Sequence, residues 1–212
     1  TRINIGCGNS PSEGWLNFDN TPAIRLANSP FKFFIARIMG LLNEDQIRNI
    51  EWNKTNQILY ADAAKSIPLQ ADSVQALYTS HMFEHLSREG AVKFLQEAIR
   101  VLEVGGVIRI SVPDLQISVK DYLNNKNANH FMHSLLVEAP PINTIKQKIS
   151  LYLSGYRHHQ WMYDGLSLSS LLEQTGFRNV NICKQGETTI RNPTGLNLVE
   201  RIEQSVIVEG VK

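Results

Sequence analysis

The stretch Ile3-Asn4-Ile5-Gly6-Cys7-Gly8 runs an apolar, β-branched segment straight into a glycine turn. That join leaves few folds open. A buried strand ending in G-x-G presents unshielded main chain at the carboxyl edge of an open α/β sheet, where a nucleoside-bearing ligand can reach contact distance. The next apolar run, Trp15-Leu16-Asn17-Phe18, ends on Asp19. A carboxylate there stands beside the glycine turn and can accept from both hydroxyls of a ribose. Eleven positions separate Gly8 from Asp19. This is too short for a crossover helix and its turns, since the acid of a dinucleotide fingerprint falls roughly 20 residues on. A G-x-G turn alone is weak evidence, so the reading depends on the rest of the chain.

Strand-like and helix-like runs alternate downstream. The expected strands are 3–6, 15–19, 57–61, 74–80, 106–112, 179–184 and 205–210. Ser87 caps a helix with Ala91, Val92, Leu95, Ala98, Ile99 and Leu102 at helical spacing, stopped by Gly105-Gly106. A second helix runs through Leu168, Leu171 and Leu172 to Gly176, with Phe177 as its hydrophobic C-terminal contact. This order predicts a mostly parallel sheet covered on both faces. The last two strands are joined by a polar, Asn-Pro-containing segment with no crossover helix, so they are expected to pair antiparallel at one edge.

A chain of 212 residues with 42% hydrophobic and 19% charged content fits one domain, 1–212, with a full core. Net charge +1 supplies no general field for polyanions, so nucleic acid is not an expected partner. The two cysteines, Cys7 and Cys183, suggest no disulfide framework and fit a reducing compartment. No leader is read ahead of the first strand, and the expected location is cytoplasmic.

Two insertions break the alternation. Residues 20–56 contain a run from Phe31 to Leu42 in which Phe31, Phe34, Ile35, Ile38, Leu41 and Leu42 form a wide apolar arc opposite Lys32, Ala36 and Gly40. It is expected either to pack on the sheet or shield the cofactor, or to dock on a membrane surface peripherally through Lys32 and Arg37. It is too short to span a bilayer, which takes about 20 apolar residues. Residues 114–166 are rich in His, Tyr and amides and are expected to form a lid on the acceptor side.

Five segments together carry a resemblance. Asn4-Ile-Gly6-Cys-Gly8, Gly14-Trp-Leu-Asn-Phe-Asp19, Ala61-Asp62-Ala63, Ser80-His-Met-Phe-Glu-His85 and Leu102 to Pro113 stand in order at expected strand ends. The series resembles a class I S-adenosylmethionine-dependent methyltransferase, of a small bacterial subgroup that modifies polysaccharides and sugars. His159-Gln-Trp-Met-Tyr-Asp164 and the Ser205-Val-Ile-Val-Glu-Gly end resemble that subgroup too. The resemblance implies an α/β, Rossmann-like class I methyltransferase fold, with a seven-stranded mostly parallel sheet, an antiparallel edge strand and helical insertions after strands 2 and 5. It implies S-adenosylmethionine as cofactor. Gly6, Cys7 and Gly8 would face its methionine and ribose, Asp19 the ribose hydroxyls, Asp62 and the Ala63 main chain the adenine, and Ser80 and His81 the methionine end. The acid usual in the first motif is Asn4 here, which implies weaker orientation of the cofactor amine. It also implies a sugar or glycan hydroxyl as acceptor. The alternatives are a small phenolic or amine metabolite, or a cofactor-binding partner protein without turnover.

A hydroxyl acceptor must lose its proton, to a base or with help from a metal. All six histidines fall in two segments: His81 and His85, and His130, His133, His158 and His159. The motif His81-Met-Phe-Glu84-His85 resembles the Glu-x-x-Glu-His of metal-dependent O-methyltransferases, which implies a divalent metal held by His81, Glu84, His85 and His159 or His158. Alternatively His85 or His159 serves as a metal-free base, or Glu84 and His85 only cap a first turn. H-x-x-E-H also matches inverted zinc proteases, a reading that leaves the other motifs unexplained. Tyr152, Tyr156, Trp161 and Tyr163 suit stacking on a sugar or aromatic ring, and core packing equally.

Overall fold

The computed structural model describes residues 1–138, 158–199 and 201–212. Its centre is a seven-stranded sheet built from β1 (Arg2–Ile5), β2 (Leu16–Asp19), β3 (Leu59–Tyr60), β4 (Val74–Ser80), β5 (Leu102–Pro113), β6 (Arg178–Cys183) and β7 (Ser205–Val211). The order is β3-β2-β1-β4-β5-β7-β6, parallel except for the antiparallel β5–β7 and β6–β7 pairs. The chain order reverses at β1–β4, so the glycine turn after β1 and the chain after β4 open beside each other. In doubly wound sheets that point is where ligands bind.

Helix α4 (Arg88–Val101) starts as the sequence predicts, with the Ser87 side chain accepting from the Gly90 amide, and buries Ala91, Phe94, Leu95, Ala98 and Val101 on the sheet. It stops earlier than expected. Leu102 already belongs to β5, and Gly105-Gly106 lies in an irregularity of that strand, where a Cβ on Gly106 would sit 2.8 Å from the Glu103 carbonyl. Helix α7 (Gly165–Thr175) ends on left-handed Gly176, and the buried Phe177 donates its amide to Leu172. β3 is shorter than expected, because Gln57 adopts a left-handed conformation just before it.

The first insertion folds into α1 (Pro22–Ala27), α2 (Pro30–Ile38) and α3 (Glu44–Thr55). The expectation that Phe31–Leu42 packs on the sheet is overturned. α2 has no buried residue, Phe34 is 61% exposed and Ile38 69%. Gly40, at φ +62, ends the helical path; Leu42 is buried with Ala23, Ala27 and Ile50, and the half-buried Phe33 and Ala36 pack against that cluster rather than on the sheet. The second insertion begins with α5 (Leu115–Asn125) and α6 (Ala128–Ser134). Tyr152 and Tyr156 lie outside the described residues. Among those described, no helix is long and apolar enough to cross a membrane.

Candidate functional site

The glycine turn is fixed from beneath. Gly6 and Cys7 both donate their amides to the Phe18 carbonyl, at 2.8 and 3.2 Å. Asn4 is buried and donates its side-chain amide to Ser12 Oγ (3.0 Å) and the Ser10 carbonyl (3.3 Å), which holds the loop. The two glycines have different reasons. At Gly6 (φ +72) a Cβ would strike Met82 Cγ at 2.4 Å, so the chain's own packing requires glycine. At Gly8 (φ +49) a Cβ would meet nothing within 4 Å, so the main chain there is open to a ligand. Cys7 turns its side chain into a cluster with Ile24 and Ile58. Burial, and then Asp19, pushes its thiol up to about 12, which keeps it protonated and unreactive.

Asn4, Gly6, Cys7, Gly8, Asn9, Ser10, Tyr78, Ser80, His81 and Arg201 line a polar cleft of about 180 Å³. Asp19 stands next to it, with one carboxylate oxygen accepting from the Gly8 amide (3.0 Å) and the other from the Thr21 amide (2.7 Å) and hydroxyl. Asp62 and Ala63 are at the end of β3, outside this lining. Asp62 pairs with Lys65 at 2.7 Å, and the Ala63 side chain is in the main core. Arg201 gave no sequence signal. It reaches the cleft from the connection into β7, an approach that only the antiparallel edge provides.

The chain after β4 is strained where it meets the cleft. His81 sits at φ +50 while its amide donates to the Ser111 carbonyl, and a non-glycine residue held there costs about 1–3 kcal/mol. Its ring has both nitrogens engaged. Arg201 lies 3.0 Å from Nδ1, which can only accept from a guanidinium, so Nε2 carries the hydrogen and donates to Ser205 Oγ at 2.8 Å. The His81 ring is thus held in position through both nitrogens.

Next to it, the 3-10 turn Phe83–His85 carries Glu84, which is 1% exposed with neither carboxylate oxygen hydrogen-bonded among the described residues. The histidine nitrogens within 4 Å of it are His81 Nδ1 (3.5 Å) and His159 Nε2 (3.9 Å). The first contact is not an ion pair, because that nitrogen has no proton to give. His159 arrives on a segment tied across the turn: its amide donates to Leu136, and the amides of Gln160 and Trp161 both donate to the Glu84 carbonyl. Burial lowers the His159 pKa against the pull of Glu84, with His85 assisting, so the ring is neutral near pH 7. The rings of His85 and His159 are 5.1 Å apart. His130 instead pairs with Asp121 at 3.0 Å on the exposed α5–α6 face, and His133 ends α6. Tyr163 is core, packed on Phe83, whereas Trp161 is 46% exposed with the Arg88 guanidinium over its ring.

The sequence profile of the methyltransferase domain family matches residues 3–110, just over half the chain. No curated protein sequence matches it. A solved SAM-dependent methyltransferase from Methanosarcina mazei is 14% identical, with 99% of this chain and 91% of that one covered at a TM-score of 0.51. Another, from Archaeoglobus fulgidus, is 16% identical, with 99% and 85% covered at 0.50. At such identities the likeness is one of fold.

Proposed function

The chain belongs to the methyltransferase domain family and is an S-adenosylmethionine-dependent methyltransferase, and from that premise we propose that it methylates a hydroxyl oxygen on a sugar or glycan. The residues at the switch point fit the cofactor. Gly8 leaves its main chain open, the buried Ser80 hydroxyl has no hydrogen-bond partner among the described residues, and Arg201 gives the cleft a cation for a carboxylate. Asp19, beside the cleft, would take a ribose hydroxyl, and Asp62, at the end of β3, would take the base. The cofactor supplies a methyl group activated on a sulfonium.

What the protein adds is alignment and proton removal. The acceptor oxygen must lie in line behind the methyl group at contact distance. As the C–O bond forms, the pair of the broken S–C bond leaves with sulfur, and the hydroxyl proton must go elsewhere. His81 borders the cleft and lies 3.5 Å from Glu84, so the Glu84–His85–His159 cluster adjoins the cleft on its His81 side. That buried carboxylate beside two imidazoles is the observation that carries the reading, because a hydroxyl acceptor needs a group that takes its proton or makes it more acidic. Trp161, exposed and joined through its amide to Glu84, offers a ring for a sugar face.

The test is S-adenosylhomocysteine release with a panel of sugars, glycans, phenols and amines, with products located by mass spectrometry. Glycan methylation is expected. Glu84→Gln should lower kcat by about 10²–10⁴-fold, the scale of positioned proton transfer, with product-cofactor affinity unchanged. Turnover only with phenols or amines would reject the acceptor class.

A further inference from the structure

We propose that Glu84, His85 and His159 form a divalent-cation site, with His81 outside it. The site takes its role from the proposed methyl transfer but not its geometry. One ligand atom from each of the three residues can be chosen so that all lie within 4.8 Å of one another. A first-row ion bonds such atoms at roughly 2.0–2.2 Å, so the side chains close on it by about an ångström. Two independent features point to a cation. The first is Glu84 itself, a buried carboxylate with both oxygens unpartnered among the described residues. An isolated buried charge is expensive unless it is paired or coordinates a metal.

The second feature is the orientation of His85. Its Nδ1 is 3.0 Å from the His158 carbonyl, to which it can only donate, so Nε2 keeps a bare lone pair. A ring nitrogen donating to a backbone carbonyl is the usual outer support of a metal-bound imidazole. His81 has no such lone pair free, because Arg201 and Ser205 occupy both its nitrogens. One carboxylate and two imidazoles suit zinc, iron(II), manganese or nickel and leave positions open. The acceptor oxygen binds at an open position, which makes its hydroxyl more acidic, and the proton passes to water.

Cobalt(II) titrated into the metal-free full chain is a direct probe, read by its visible absorption and by calorimetry. One equivalent should bind. Glu84→Gln and His159→Ala should each weaken it by at least the ~10–100-fold typical of losing a supporting partner, while His81→Ala keeps the spectrum. Circular dichroism reports folding, and should Glu84→Gln not fold, His85→Ala at a half-buried position decides. Failure to bind one equivalent, or cobalt bound equally well by these variants (as at the exposed His130–Asp121 pair), overturns the proposal. Calorimetry of S-adenosylhomocysteine with the metal-free chain separates the two readings: binding without cobalt uptake rejects the metal site alone.

Discussion

Asp19→Ala removes three interactions at once. One oxygen accepts from the Gly8 amide, and the other accepts from both the amide and the hydroxyl of Thr21. A carboxylate offers about four lone-pair sites, so the fold already uses three. Asp19 therefore has room for one ribose hydroxyl, where the sequence suggested two. Hydrogen bonds to a charged group contribute about 1.5–3 kcal/mol each, but Gly8 and Thr21 are open enough for water to replace part of what is lost. We expect the ligand-free variant to lose about 1–3 kcal/mol, a fall in Tm of roughly 2–12 °C at this chain length. Loss of the ribose contact adds about 1.5–3 kcal/mol in binding, or about 10–150-fold in Kd. Thermal unfolding without ligand and calorimetry with S-adenosylhomocysteine measure the two separately. A lower Tm with unchanged affinity would move the ribose away from Asp19. No change in either would refute the reasoning from the carboxylate's geometry.

The packing sets three further outcomes. Gly6→Ala should cost about 2–4 kcal/mol of stability through the Met82 clash and its left-handed backbone. Gly8→Ala should cost only the ~1–2 kcal/mol of the backbone term but abolish measurable cofactor binding; equal effects of the two in denaturant and calorimetry would contradict the difference drawn between them. Glu209, fully buried, accepts from Arg109, from the Thr188 hydroxyl and from both the Thr189 amide and hydroxyl. Burial alone would raise its pKa, yet those donors outweigh it and hold it below the ordinary value. Its contribution is therefore present above the unfolded value of about 4.3 and is lost as pH falls through the lower folded one. Glu209→Gln should cost about 3–5 kcal/mol at pH 7, by urea unfolding, with the gap to wild type shrinking below about pH 4; a gap that widens there would reverse the sign. Phe34→Ser with Ile38→Ser should stay within about 0.5 kcal/mol of wild type per site, and a larger loss would mean that the α2 face is covered.

How far the sequence could be read depends on the range of each interaction. Ser87, Gly176 and Phe177 act within a few positions of their own helices, so their capping roles were visible in the bare sequence, as was the antiparallel edge from its missing crossover helix. The arc from Phe31 to Leu41 was visible too, but periodicity names an apolar face without naming what covers it. The cluster at Glu84 lies at the other extreme. The sequence narrowed the four lid histidines to His159 or His158, and the fold brings the His159 ring to Glu84 because the chain returning from the second insertion pairs Tyr163 with Asp114 and ties Gln160 and Trp161 to the Glu84 carbonyl. Arg201 takes the His81 lone pair across 120 positions, and no local spacing encodes that. This contact occupies the His81 nitrogen that faces Glu84 and leaves the neighbouring carboxylate without a hydrogen-bond donor among the described residues. The motif His81-Met-Phe-Glu84-His85 therefore names residues that lie together, but which of their lone pairs stay free depends on partners brought in from the connection into β7 and from beyond α6.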